Sequence, residues 1–512
     1  MYSYTSVALS LLPFLLPTTS AQGEWGPVVE LPIIPAAAYI VPDTPKAERI
    51  MFFSAYSPFA AGGSHGMTAF VEYNYVTGET ISRRINNTQH DMFCPGMNYQ
   101  ADGSVIITGG SNAEVTTIYE PDTNTYRRGS DMQIPRGYQT SVLTSEGKTF
   151  TIGGSWSGDP RGNKTGEIYD PAADTWTLLP GCDDTPMLTQ DALNEADNHA
   201  WLFPWTDGWV FQAGPSRNMN WFDTKGAGAV HPAGLRYAAN DSMCGVHVMF
   251  DTGKIFSAGG SQIYHNSPGQ AFAHLTEIGD AGQEARVERL PDMAYPRAFA
   301  NVVVLPDGKV LVTGGQRFAM GFTDRDPVFV PELFDPATKT FTEMAPESVV
   351  RAYHSISILL PDARVLSGGG GLCWWPSGNE TAIHGICPRD TVDHPDFQIF
   401  TPDYLRTGNP RPVIENVAGL RGNAVRPGEM LRVTLDGPAE GATFSIIRVG
   451  TVTHGVNSDQ RRIPLTPEVD GNDAVLRLPA DSGILLAGPW YLFALSAEGV
   501  PSEAHTFFVN LG

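Results

Sequence analysis

Short apolar runs, each led by a polar turn and closed by glycine, recur along the chain. Asp102-Gly103 leads into SVIITGG, ending at Gly110, and Glu146-Gly147 into KTFTIGG, ending at Gly154. Asp207-Gly208 leads into WVFQAG, ending at Gly214, and Thr252-Gly253 into KIFSAGG, ending at Gly260. Asp307-Gly308 leads into KVLVTGG, ending at Gly315, and Asp362-Ala363 into RVLSGGGG, ending at Gly371. Ile50 to Ser54 reads as a degenerate first copy. A second element follows several copies: YEPDTNTY from Tyr119, YDPAADTW from Tyr169 and FDPATKTF from Phe334. Runs this short, bounded by turn residues, predict strands joined by tight turns. No long amphipathic helical pattern is present.

Successive copies lie about 44 to 60 residues apart, the spacing of kelch-type propeller blades. Seven copies predict an all-β fold with a seven-bladed kelch-type β-propeller over residues 22–404. After about residue 405 the repeat stops, with Pro410, Pro412 and Pro427 at the junction. The alternating runs 430–437, 444–450 and 490–497 then predict a small C-terminal immunoglobulin-like β-sandwich over 405–512. A fold alone names no function. A kelch propeller without further motifs serves equally as an enzyme or as a binding scaffold.

Composition agrees with a folded chain, since 42% of its 512 residues are hydrophobic and 17% charged. The formal net charge of -22 repels phosphate backbones and anionic membrane surfaces, so no nucleic-acid or membrane partner is expected. The apolar stretch Val7 to Leu16, followed by small residues up to Ala21, predicts a signal peptide over 1–21 and a secreted, extracellular protein. That stretch is too short to span a bilayer. Sequons beginning at Asn86, Asn163, Asn240 and Asn379 agree with export as a glycoprotein.

The chain has five cysteines, Cys94, Cys182, Cys244, Cys373 and Cys387. An odd number in a secreted protein leaves at least one without a disulfide partner. Cys373 and Cys387 bracket a short loop and are the first choice of pair. Cys182 with Cys244 is an alternative that spacing does not support. Cys94 is then left over, and an inert buried thiol is the ordinary reading of such a residue. Among the histidines, His90 lies in QHDMFCPG, His354 in RAYHS and His454 in GTVTHGVNSDQRR. Spacing does not say which of them meet, because ligands from different blades are far apart in the chain.

Several long segments decide more. HDMFCPG (90–96), RGYQTSV (136–142), FTIGGSWSG (150–158), DNHAWLF (197–203), RAYHSISILLPD (351–362), GGGGLC (368–373) and THGVNSDQRRIPL (453–465) resemble the galactose oxidase family of copper-radical oxidases, in its alcohol oxidase branch. The resemblance runs from about Trp25 to the C-terminus. It has no counterpart of the family's N-terminal carbohydrate-binding domain, so the propeller is expected to begin almost at once. The resemblance implies one copper ion held by Tyr138, Tyr353, His354 and His454. It implies a Cys94–Tyr138 thioether that carries a tyrosyl radical, which accounts for the odd cysteine. It also implies that Trp156 stacks over Tyr138 and that Tyr353 acts as general base. Imidazole and phenolate suit cupric copper. Alcohol oxidation removes two electrons, so a redox centre besides the metal is required, and the linked Tyr138 supplies it.

The resemblance breaks at the substrate pocket. Where the family has an Arg two residues before DNHAW, this chain has Glu195; where it has Tyr-Gln, this chain has Tyr264-His265. A pocket Phe of the first blade aligns with Ala61, with Phe59 close by, and a second Phe is retained as Phe322. Arg offers a rigid fork of donors to vicinal hydroxyls, whereas ionised Glu only accepts. The expected substrates are therefore aryl, furan or small aliphatic primary alcohols, with dioxygen reduced to hydrogen peroxide. The alternatives are a galactose or galactosyl-oligosaccharide oxidase, and a non-catalytic glycan-binding kelch scaffold. The family analogy adds a monomer coupled functionally to extracellular peroxidases.

Overall fold

The computed structural model describes residues 22–373 and 392–511. The expected signal peptide and Cys387 lie outside the described residues. Within them the regular elements are strands, apart from the short 3-10 turns Thr185–Met187, Thr206–Gly208 and Asp403–Leu405. Seven antiparallel sheets form the propeller. Their innermost strands are Ala37–Ile40, Gly96–Tyr99, Thr140–Leu143, Leu202–Pro204, Val246–Asp251, Ala298–Val304 and Ser355–Leu359. The seventh sheet is completed from the other end of the propeller, where Glu24–Trp25 pairs with Thr401 and Phe400. Val29–Glu30 extends the same strand at Phe397 and Asp396. The sequence pattern gave no sign of this closure, because both pieces are only two residues long.

The glycine that closes each repeat has a local cause. The second strand of a blade ends against the loop leading into the next blade. A Cβ on Gly109 would stand 2.4 Å from the Arg136 carbonyl oxygen, and one on Gly314 2.2 Å from that of Arg351. Both glycines also have positive φ, so any other residue would be strained twice. Those leading loops carry buried arginines. Arg136 ion-pairs with Glu167, Arg297 with Glu332 and Arg351 with Asp396. Each arginine also donates to the carbonyl of a repeat glycine: Gly153, Gly314 and Gly369. The buried ion pairs thus fix each leading loop to the blade it enters, while the backbone carbonyls of Arg136 and Arg351 accept from Gly110 N and Gly315 N of the blade before.

The C-terminal domain packs two sheets around Leu431, Val433, Phe444, Ile446, Trp490, Leu492 and Phe507. One segment leaves it. Thr451–Thr453 pairs as an extra strand with the first blade, Ala37 opposite Thr453 and Tyr39 opposite Thr451. Residues 457–461 then run buried along the propeller axis and touch blade after blade. Asp459 accepts the Tyr99 backbone N–H at 3.0 Å, Ser458 donates to Ser141 O at 2.8 Å, and Arg461 donates to Pro204 O at 2.8 Å. Gln460 accepts from Val304 N at 2.7 Å and donates to Val302 O at 3.2 Å. Asp459 also accepts from Thr451 at 2.8 Å and from Arg448 at 3.2 Å, and the charged pair Asp459–Arg448 is buried.

Asp459→Ala removes the partner of Arg448 and leaves a buried charge unpaired. The expected loss of folding stability is about 3–5 kcal/mol, read by urea denaturation. A change within experimental error would show that the axial segment does not tie the domains together.

Candidate metal centre

Six blades present a residue in the left-handed backbone region at the start of the innermost strand: Cys94, Tyr138, His199, Cys244, Phe299 and His354, with φ between 53° and 68°. Bulky side chains rarely adopt this conformation, and it costs free energy wherever it occurs. Backbone bonds hold it in place. Tyr138 N donates to Cys94 O at 3.0 Å, His199 N to Tyr138 O at 2.8 Å, and Phe299 N to Cys244 O at 3.0 Å. The turn directs the side chains of successive blades toward one another across the axis. His454, also at positive φ, arrives from the C-terminal segment.

The groups that meet are two phenols, three imidazoles and a thiol. The hydroxyls of Tyr138 and Tyr353 are in direct contact. Tyr353 stacks on His354 at 3.9 Å between ring centroids, and His354 meets His454 edge-on at 4.5 Å. One ligand atom each from Cys94, His354 and His454 lies within 4.8 Å of the others. The Cys94 thiol is 3.3 Å from His454 Nε2 and within hydrogen-bonding reach of Tyr138. Trp156 lies over Tyr138, ring centroids 4.7 Å apart and 25° from parallel.

Hydrogen bonding fixes the imidazole tautomers. His354 Nδ1 faces the Gly371 carbonyl at 2.6 Å, which only accepts, so Nδ1 carries the proton. Its Nε2 is buried with no hydrogen-bond partner, a bare lone pair. His454 Nδ1 lies 2.6 Å from Thr453 Oγ1, whose own hydrogen goes to Ala36 O at 3.2 Å. Thr453 therefore accepts from Nδ1, which leaves Nε2 of His454 as the ring's lone-pair nitrogen, facing the Cys94 thiol at 3.3 Å. Two such nitrogens beside two phenol oxygens form a donor set fit for a transition metal with N,O preference. Burial pushes the pKa values of Tyr138, Tyr353 and Cys94 well above their ordinary range, so without a metal they stay protonated.

Each expected site residue can now be placed. A cavity of about 440 Å³ opens onto Tyr138 and Tyr353 and is lined also by Phe93, Trp156, Glu195, Tyr264, His265 and Phe322. Phe322 meets Tyr353 edge-on at 4.8 Å. Ala61 does not line this cavity; it is buried in the surrounding apolar cluster, its N–H on Cys373 O at 3.0 Å. Phe59 is exposed at 45% and stands away from it. His90 is buried in the second blade, bonded to Thr117 and Gly109 O. Cys182 and Cys244 are unpaired, and Cys373 is disulfide-bonded; its expected partner, Cys387, lies outside the described residues.

His199 escaped sequence reasoning although its segment DNHAWLF was singled out. It lies 4.5 Å from Tyr138 and 5.4 Å from His454 between ring centroids, with Nε2 at 3.1 Å from Tyr264 OH. The signal was its position, one blade after Tyr138 at the same step of the repeat.

Fold and site together define a kelch-propeller protein with a buried metal-competent centre on its axis. Residues 411–509 match the galactose oxidase-like early set domain, 248–372 the glyoxal oxidase N-terminus and 136–182 the kelch motif. The chain is 44% identical over 503 residues to galactose oxidase of Gibberella zeae, covering 95% of this chain and 71% of that protein. It is 25% identical over 451 residues to an aldehyde oxidase of Vitis pseudoreticulata, covering 81% of each. Among solved structures, a fungal alcohol oxidase of the AA5 family in complex with copper superposes with a TM-score of 0.87 at 43% identity, covering 96% of this chain and 100% of that one. The chain belongs to the galactose oxidase family.

In the metal-free protein both candidate ligand imidazoles stay neutral well below the ordinary histidine range, because burial penalises their charged form. Nitrogen-15 NMR is expected to show His354 as the Nδ1–H tautomer, titrating only near about 3. A midpoint at the ordinary 6.5 would contradict the buried geometry.

Proposed function

We propose that this protein is a copper-dependent oxidase that converts primary alcohols to aldehydes and reduces dioxygen to hydrogen peroxide. The observation that carries the reading is the meeting of Tyr138, Tyr353, the unpartnered Nε2 of His354 and the Nε2 of His454 beside Cys94. These four residues would hold copper, with Cys94 joined to Tyr138 as a thioether. Bound copper supplies Lewis acidity and a one-electron acceptor.

The residues then divide the work. The cavity admits the alcohol between Trp156, Phe322 and Tyr264 and sets its hydroxyl beside Tyr353. Tyr353, as phenolate, takes the hydroxyl proton. Tyr138, as the linked radical, takes the hydrogen atom from the adjoining carbon. Trp156 covers the Tyr138 ring and keeps water from it. Thr453 and the Gly371 carbonyl hold the imidazoles in the tautomer the metal needs.

For the substrate, aromatic walls and the Glu195–His265 pair support aryl, furan or small aliphatic alcohols. The 44% identity to a galactose oxidase favours galactose as the second reading. Against it stands Glu195, which cannot replace the donor fork of an arginine toward sugar hydroxyls. A substrate panel with peroxide detection separates the two: benzyl-type alcohols are expected to outperform galactose, and the reverse order sinks the assignment. The acidic composition and the apolar N-terminal stretch support secretion; peroxide supply to extracellular peroxidases is a role consistent with it.

Incubating the protein with copper and air should remove two hydrogens from its intact mass and place a Cys94–Tyr138 link in the peptide map. No mass loss and no stoichiometric copper would leave the scaffold reading standing. Cys94→Ser should still bind copper yet lose efficient oxidation. Thr453→Val should weaken copper affinity by about 10- to 100-fold, measured by chelator competition, with Thr453→Ser restoring it.

A further inference from the structure

The cavity over Tyr138 and Tyr353 has one acidic wall. Glu195 forms part of it, with its side chain 18% exposed. Asp191 stands behind it, accepting the Tyr264 backbone N–H at 2.6 Å and hydrogen-bonding Glu195. Two carboxyl groups thus stand on one side of a pocket lined elsewhere mainly by aromatic residues.

Each further group around the cavity leaves that negative charge uncompensated. His265 Nε2 approaches Glu195 Oε1 at 3.8 Å, but burial lowers its pKa and so disfavours the charged ring. Arg161 also lines the cavity, but its guanidinium is committed. It donates to Ser155 O at 2.8 Å and to Trp156 O, and it ion-pairs with Asp159 at 3.2 Å. Tyr264 stays protonated through burial. Among the described residues no Lys or Arg forms an ion pair with Glu195.

The geometry points to a pocket that selects by charge: Glu195, backed by Asp191, favours primary alcohols that carry a cationic group over those that carry an anionic one. This rests on the alcohol-oxidase reading of the same cavity. Phe93 and Trp156 also line the cavity, and aromatic rings attract ammonium groups. The selectivity depends on pH in one direction. Burial, and then the charge and hydrogen bond of Asp191, push the Glu195 carboxyl up to about 7. Above that value Glu195 is ionised and the preference is present; below it Glu195 holds a proton and the preference fades.

The test uses unreactive ligands on the copper-loaded protein. Three para-substituted benzyl methyl ethers are titrated by calorimetry: one with a trimethylammonium group, one with a methyl group and one with a sulfonate. None of the three changes its own charge with pH. At about pH 8.5 the cation is expected to bind about tenfold more tightly than the anion, narrowing to within about threefold at about pH 5.5. Glu195→Gln should remove the preference at the higher pH. Equal affinities in the unaltered protein at high pH would overturn the inference, and so would a preference that Glu195→Gln leaves intact. Oxygen consumption with para-methylbenzyl alcohol is measured alongside. If none is seen while charge discrimination persists, the oxidase reading fails and the selective wall stands. If turnover is seen without discrimination, the wall fails and the oxidase reading stands.

Discussion

Insertion of the 451–461 segment into the propeller axis is the constraint on which the rest of the site depends. A propeller brings its innermost strands together around an axis but leaves a gap there. Here that gap is filled by a segment of another domain, whose polar side chains bond to the blades they pass. Asp459, Gln460, Arg461 and Ser458 are all buried and all bonded across the domain boundary. Their desolvation is offset only when every partner is in place. The same segment carries His454, so the donor set is complete only when both domains are folded and docked.

The second constraint is local strain held by its surroundings. Tyr138 and His354 adopt a backbone conformation that bulky residues avoid, as does Cys94. Inter-blade hydrogen bonds and the buried arginine–carboxylate pairs on either side make any other arrangement costlier. Strain and burial serve the same end. Dry surroundings keep the phenols protonated and the imidazoles neutral until a cation replaces the phenolic protons, so the centre is built in advance for a metal and poorly suited to carry net charge without one.

The legibility of this arrangement in the sequence follows the range of the interactions. The blades were readable because the turn, apolar run and glycine pair are a local pattern, and the glycines mark close approach to the next blade. The sandwich was readable by alternation at 430–435 and by the apolar run at 488–495, which is buried throughout. The closing strands Glu24–Trp25 and Val29–Glu30 were not, since two residues carry no periodicity. Copper-site candidates came from segment resemblance, because residues as far apart as Cys94 and His454 leave no spacing signal. His199 was missed because only comparison of equivalent positions in successive blades reveals it. Ala61 was assigned to the pocket across loops of different length, and it lies in the packing behind.

The central claim is that two imidazole nitrogens and phenol oxygens, not the Cys94 thiolate, bind the metal. Electron paramagnetic resonance and absorption spectra of the copper-loaded protein test it directly. A tetragonal cupric signal with two coupled nitrogens and no thiolate-to-copper charge-transfer band is the result this arrangement predicts. An intense thiolate band with a narrowed copper hyperfine splitting would show Cys94 as a ligand, and would contradict it.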